Sequence, residues 1–340
     1  MKAVRYHQYG EPEVLKYEDA PEPELRPDYV MVRVKACALN HLDLFLRKGV
    51  YNPLLPHING SDVAGEIAAI GNLITGIEVG QRVLLAPMVF CGHCAMCLAG
   101  MQNLCDKFTV LGNRVNGGNA EFVAAPYVNI VPIPDSLTYE KAAAVPLVFL
   151  TAWHMLVARC GVSPGQTVLV LGGNSGVGSA AIQIAKLWGA RVISTGGDAR
   201  KMELASSLGA DYTIDHYKQS ISGEVSKITA REGVDIVFEH VGQATWSESM
   251  RSLKPGGKLV ICGATSGTEA KFDIRLLYGK QYSLLGSYMG NMGDLHKVLK
   301  FVFAGKLKPV LDRVFPLHEA RIAHERMERG EHLGKIVLIP

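Results

Sequence analysis

Four cysteines fall within fifteen residues: Cys91, Cys94, Cys97 and Cys105, in the run CGHCAMCLAGMQNLC. The spacing C-x2-C-x2-C-x7-C lets four soft ligands wrap one tetrahedral ion, with sulfur about 2.3 Å from zinc in a usual four-thiolate site. An iron–sulfur cluster also takes four thiolates, but the x7 gap and the intervening residues depart from a ferredoxin run. Free or disulfide-linked thiols are the plain alternative. Only Cys37, Cys160 and Cys262 remain in 340 residues, which makes no disulfide framework. Zinc is favoured. His93 lies inside the loop, but four sulfurs already fill the tetrahedron. A closed site takes no substrate, so one structural zinc acts as a staple and the chemistry lies elsewhere.

The second signal is LVLGGNSGVGSAAIQIAK, residues 169–186. Gly173, Ser175 and Gly178 hold the G-x-G-x-x-G positions, with Ser in place of the second Gly, and Asn174, Gly176 and Val177 complete the turn. Small residues there let backbone N–H groups approach a pyrophosphate at a helix N-terminus. A lone glycine motif is weak, but this one follows an expected strand and opens an expected helix. The next strand ends RVISTGGDARK. An NAD-preferring protein usually ends it with an acid that bonds the ribose hydroxyls. Gly196 stands there instead, with Arg200 and Lys201 following, so a 2′-phosphate is not repelled and two cations could meet it. NADP(H) is favoured over NAD(H), although Asp198 could turn inward to the ribose and the two cations could be solvated helix-start charges.

These signals need elements to carry them. Residues 1 to about 135 read as short strands between turns, with alternation in Tyr29–Val34, Val63–Ile70 and Arg82–Leu85. The Pro-rich segment Ala20–Pro27 reads as a surface loop. From about residue 145 strands and helices alternate: strands at Val168–Leu171, Arg191–Ser194, Asp235–Phe238, Lys258–Cys262 and Ser283–Gly286, helices at Ser179–Trp188 and Lys201–Leu208. That rhythm implies a parallel sheet covered on both faces. The last fifty residues close with a short helix and the strand KIVLI. The apolar run Ala142–Ala158, broken by Pro146, Thr151 and His154, reads as a buried helix rather than a membrane span. A net charge of +3 without a basic block suggests neither nucleic acid nor a membrane surface as partner. An opening without an apolar stretch, together with reduced cysteines, points to the cytoplasm.

Over essentially its full length the chain resembles the medium-chain dehydrogenase/reductase superfamily. GSDVAGEI (Gly60–Ile67), NHLDLFLRKG (Asn40–Gly49) and NSGVGSAAIQIAK (Asn174–Lys186) are more similar to its quinone-reductase branch than to alcohol dehydrogenases. The resemblance implies an α/β fold, a Rossmann doubly wound parallel sheet plus a GroES-like β-barrel catalytic domain. The barrel would take residues 1–145 and 290–340, with a zinc lobe at 91–105, and the dinucleotide-binding domain 146–289. It also implies cofactor contacts from Thr151, Val241, Gly242, Cys262, Gly263 and Ala264, with Lys335 on the phosphates. Family members commonly dimerise through edge strands of the Rossmann sheet, here near Lys258–Cys262 and Ser283–Ser287, so a homodimer or homotetramer is expected.

Zinc alcohol dehydrogenases hold a second, catalytic metal. Motif matching puts Asn40 at its first Cys position, Ser61 at the His, Asp62 at the nearby Glu and Leu147 at the last ligand, while Cys37 falls three residues early. Leu and Asn are not zinc ligands, so the catalytic zinc is expected to be missing. Alcohol oxidation needs a species close to an alkoxide, which a metal supplies by lowering the pKa of bound water from 15.7 to about 7. Without it the pocket suits substrates that already accept hydride, such as quinones and α,β-unsaturated carbonyls. Asn40 is the expected pocket amide, with Tyr51 or His41 as hydrogen-bond or proton donors; wall packing and a turn network with Asp43 are the plain alternatives. The leading reading is an NAD(P)H-dependent quinone or enone reductase. A zinc-type alcohol dehydrogenase is the alternative, and a cofactor-binding protein without useful turnover is the third.

Overall fold

In Tyr29–Ala38 (YVMVRVKACA) Val30, Val32 and Val34 are buried while Arg33 faces solvent, the period-two pattern of a strand with one face on a core. The computed structural model describes all 340 residues, and it divides into two units, Met1–Leu147 with Asn291–Pro340, and Val148–Gly290. In the first unit the strand Tyr29–Ala38 is the hub of a seven-stranded sheet. It pairs antiparallel with Asp62–Ile70, Phe122–Pro126 and Lys335–Ile339. Arg82–Leu85 and Ile130–Pro132 extend the sheet on one side and Leu311–Pro316 on the other. Val30, Val32, Ile67, Val83, Leu85 and Val123 form its core, at roughly 1.5–3 kcal/mol per fully buried side chain. Register decides what meets at one end: Ala38 pairs with both Asp62 and Val337. That brings Asn40, Asp62 and Lys335 together.

The second unit is a six-stranded parallel sheet in the order Tyr212–Asp215, Arg191–Gly196, Thr167–Val170, Val234–Glu239, Leu253–Ile261 and Ser283–Gly286. Chain direction across the sheet reverses between Thr167–Val170 and Val234–Glu239, so the crevice beyond their carboxyl ends is where open α/β sheets take ligands. The helix Gly176–Leu187 buries Ala180, Ala181, Ile182, Ile184 and Ala185 against the sheet.

Three sequence expectations change. The run Ala142–Ala158 is not one helix: Tyr139–Ala143 ends before Pro146, a second helix spans Pro146–Trp153, and His154–Arg159 widens to a π-helical turn. Proline lacks the N–H a continuing helix needs, so it starts a new one. No helix is long and apolar enough to cross a membrane. The strand holding Lys258 is interior, paired on both sides, so the sheet edge on that side is Ser283–Gly286 alone. The last fifty residues also contain the helix Met292–Phe303 and the strand Leu311–Pro316, in addition to the helix Ala320–Glu328 and the final strand Lys335–Ile339.

Candidate functional site

The four cysteine sulfurs lie within 4.8 Å of one another. Cys91 Sγ is 3.9 Å from Cys97 Sγ and 3.6 Å from Cys105 Sγ, against the ~3.8 Å edge of a tetrahedron with 2.3 Å zinc–sulfur bonds. Backbone N–H groups of Cys94, Cys97 and Lys107 donate to the sulfurs of Cys91, Cys94 and Cys105 at 3.4, 3.5 and 3.4 Å. Such donors favour thiolates; those of His93 and Cys94 draw the Cys91 thiol below its ordinary value. His93 directs Nδ1 to the Cys91 carbonyl at 2.8 Å, outside the sulfur cluster. The donor set and spacing fit one structural zinc.

At the glycine turn Ser175 caps the helix, its Oγ accepting from Gly178 N at 3.0 Å. A Cβ on Gly178 would stand 2.3 Å from the Gly172 carbonyl oxygen, so only glycine lets the turn close. The cap leaves the N–H groups of Gly176 and Val177 at the open end of the helix, the usual seat of a pyrophosphate. Gly173 packs over Ser194, and Thr195 Oγ1 accepts from Gly172 N at 2.9 Å. Gly196 ends its strand with Met202 and Lys201 crowded on its Cα. Asp198 caps the following helix, accepting from Lys201 N at 3.0 Å, and pairs with Arg200 at 3.8 Å and Lys201 at 3.7 Å. The Lys201 N–H and the two cations hold the Asp198 carboxyl below its ordinary range. Arg200 is largely exposed.

At the switch point two residues emerge that motif reading did not single out. Glu239 is fully buried, and every side of its carboxylate is engaged. Oε1 accepts from Val241 N at 2.7 Å and Gly242 N at 3.1 Å; Oε2 accepts from Thr245 Oγ1 at 2.9 Å and Ser249 Oγ at 2.6 Å. The Val241–Gly242 corner is thus pegged to the end of its own strand. His240 Nε2 lies 2.8 Å from the Leu171 carbonyl, which only accepts, so Nε2 carries the hydrogen. Burial lowers the His240 pKa and keeps the ring neutral near pH 7. The ring ties the two central strands together where their order reverses. The acid and histidine ending the strand, in the run VFEHVG, were the available clue. Cys262 and the glycine and alanine after it follow the adjacent strand, with Cys262 N donating to the Glu239 carbonyl at 3.2 Å. Desolvation pushes the Cys262 thiol up to about 12. Thr151 is buried, its hydroxyl donating toward Met289 Sδ at 3.8 Å.

In the first unit three of the positions matched to the catalytic-metal site, Asn40, Asp62 and the Leu147 backbone, join a hydrogen-bonded network with Lys335. Asn40 Nδ2 donates to Asp62 Oδ2 at 3.0 Å, and Leu147 N donates to Asp62 Oδ1 at 2.8 Å. Lys335 Nζ donates to Asp62 Oδ2 at 2.9 Å and Asn40 Oδ1 at 2.6 Å. All three side chains are buried. Lys335, expected on cofactor phosphates, holds its ammonium in an ion pair inside the first unit. Asp43, also buried, completes a capping box with Asn40 and accepts from Gly60 N at 3.1 Å; burial raises its carboxyl to about 6. The turn network weighed for Asn40 and Asp43 is thus present, and Asn40 joins the ion pair as well. Ser61 Oγ is buried without a partner. His41 begins the helix His41–Arg47, its ring 6.0 Å from that of His332. Tyr51 stands on the loop beyond, 54% exposed and edge-on to Phe45, with its hydroxyl outside the network.

Two family profiles match the chain, "Alcohol dehydrogenase GroES-like domain" over residues 26–135 and "Zinc-binding dehydrogenase" over residues 176–304. The chain is 32% identical to an NAD-dependent alcohol dehydrogenase of Sulfolobus acidocaldarius, covering 99% of each chain. It is 28% identical to the quinone oxidoreductase of Homo sapiens, over 100% of this chain and 98% of that one. A solved NAD-dependent alcohol dehydrogenase superposes with a TM-score of 0.97 at 43% identity, covering 100% of both chains. With a GroES-like unit, a Rossmann sheet and a four-sulfur lobe, the fold is that of a dehydrogenase. The chain belongs to the medium-chain dehydrogenase/reductase superfamily, as an oxidoreductase.

Proposed function

We propose that the protein is an NAD(P)H-dependent reductase that transfers hydride to a quinone or an α,β-unsaturated carbonyl without a catalytic metal. The observation that carries this is the Lys335–Asp62–Asn40 network, which ties two of the matched positions, Asn40 and Asp62, into an internal ion pair and an amide. A nicotinamide cofactor would supply the hydride, its pyrophosphate held at the Gly173–Gly178 turn and its adenosine side near Val241–Gly242. The first unit's task is then to meet charge developing on the substrate oxygen, which Asn40 does through an amide hydrogen. Enolates and quinol anions are stable enough for hydrogen bonds to serve where an alkoxide needs a Lewis acid.

Within this reading NADPH is preferred over NADH. Its support is the crowded Gly196 in place of an acid, and the cations Arg200 and Lys201 beyond it. Relatives named NAD-dependent alcohol dehydrogenases favour a second reading, alcohol–carbonyl interconversion. Initial rates separate them: NADPH with 1,4-naphthoquinone or 2-cyclohexen-1-one, against NADP+ or NAD+ with ethanol or benzyl alcohol. Reduction of the quinone or enone at the higher kcat/KM is expected. Brisk metal-dependent alcohol oxidation without quinone or enone turnover would reject the proposal.

A further inference from the structure

We infer that Lys335 takes over the electrostatic task of the missing metal by acting through Asn40: its ammonium orients and polarises the amide, leaving one Asn40 hydrogen as donor to the substrate oxygen. The inference rests on the proposed reductase reading and assigns the residue that makes its amide effective.

The chemistry of the partners settles which way the amide points. An ammonium can only donate, so the Asn40 atom 2.6 Å from Lys335 Nζ is the oxygen. An ionised carboxylate can only accept, so the atom 3.0 Å from Asp62 Oδ2 is the nitrogen. An asparagine between neutral partners could flip; this one cannot without setting N–H against ammonium and oxygen against carboxylate. One Nδ2 hydrogen goes to Asp62. The other meets only the Ala38 carbonyl at 3.5 Å, beyond the 2.7–3.2 Å of a working hydrogen bond. That hydrogen is in surplus. The 2.6 Å bond to the ammonium draws electron density toward Oδ1 and makes the remaining N–H groups better donors.

The charge is also held in place. Asp62 takes Leu147 N on one oxygen and both Asn40 and Lys335 on the other, so the ammonium stays buried without leaving an uncompensated charge. In the proposed reaction a bound nicotinamide would supply hydride to the β-carbon of the enone. The C=C pair forms the enolate bond between the α-carbon and the carbonyl carbon, the C=O pair moves to oxygen, and that oxygen accepts a hydrogen bond from the second Asn40 N–H. Protonation of the α-carbon by water then completes the reduction. Lys335 is a positioning residue, since it touches Asn40 rather than substrate.

The test uses the full-length protein with NADPH, 1,4-naphthoquinone and 2-cyclohexen-1-one as probes. Lys335→Met removes the ammonium but strands the Asp62 charge. Lys335→Met combined with Asp62→Asn removes both charges and keeps the unit folded, as unchanged thermal unfolding would verify. Both variants should lose about 10- to 100-fold in kcat, the span of one charge-assisted hydrogen bond, while KM and the NADPH dissociation constant stay near wild type. Separately, 15N-asparagine labelling follows the Asn40 side-chain amide without turnover. Its N–H proton resonances should shift upfield once Lys335 is gone, as the amide loses the polarising ammonium. A folded double variant with wild-type kcat, or an Asn40 amide indifferent to Lys335→Met, would overturn the inference. If the wild type reduces neither probe while the amide resonances shift as expected, the reductase reading fails and the lysine–amide pairing stands.

Discussion

Replacing Cys97 by serine should empty and unfold the zinc lobe while leaving both sheets intact. Between Cys91 and Cys105 the chain forms only the four-residue helix Ala95–Leu98 and a 3-10 turn at Gln102–Leu104, far too short to be stable alone. The lobe has no apolar core to compensate: Leu98 is 77% and Leu104 58% exposed, and its buried residues are Cys97 and Cys105. Ordering fifteen residues costs ~1 kcal/mol each, about 15 kcal/mol in all. Binding of a structural zinc supplies about 10–16 kcal/mol. The two nearly cancel, so the lobe's order depends on the metal, and losing one thiolate in four should tip the balance. Elemental analysis should find one zinc per chain in the wild type and almost none in Cys97→Ser. Hydrogen exchange should show residues 95–105 losing protection in the variant, with the main thermal transition little moved. A variant that keeps stoichiometric zinc and full protection would refute the reasoning. Two tightly bound zincs in the wild type would instead undercut the metal-free chemistry proposed for Asn40 and Lys335.

Removing the cations beyond Gly196 in the double variant Arg200→Ala/Lys201→Ala should weaken NADPH binding about tenfold or more and leave NADH nearly unchanged; equal losses for both cofactors by titration would reject the assignment of the 2′-phosphate to this corner. His324 is fully buried with Nδ1 3.3 Å from Arg47 Nη1, and burial, then the Arg47 charge, lowers its pKa to about 3. Because that folded value lies below the unfolded value near 6.5, its contribution is complete above pH 6.5 and is lost as pH falls toward 3. Between pH 6.5 and 5 the loss is about 2 kcal/mol. Denaturant titrations should show this slope in the wild type and a flatter one in His324→Gln; parallel slopes would sever it from His324.

What the sequence by itself determined is the chemistry carried by neighbours in the chain. The four cysteines span fifteen residues, and the turn between them leaves few ways to place the sulfurs. The glycine turn is equally local, since Ser175 caps a helix that begins one residue later and Gly178 closes against Gly172. Alternation likewise marked the strand Tyr29–Ala38, because a half-buried strand buries every second residue, whereas Asp62–Ile70 buries its first four residues in a row. Tertiary structure alone decided the rest. Lys335 reads in sequence as a cation opening the last strand, and it meets Asn40 across 295 positions only because Ala38 pairs with both Asp62 and Val337. A shift of one residue in the Val337–Ala38 register would turn the Lys335 side chain to the opposite face and leave Asp62 without its ammonium. The ring of His240 is fixed in the same way, reaching the Leu171 carbonyl 69 positions away through strand order at the switch point. Local patterns survive in the sequence because their partners lie within a turn or two of chain. A buried ion pair has no such trace, because desolvation makes it favourable only where strand register brings the opposite charge within hydrogen-bonding distance.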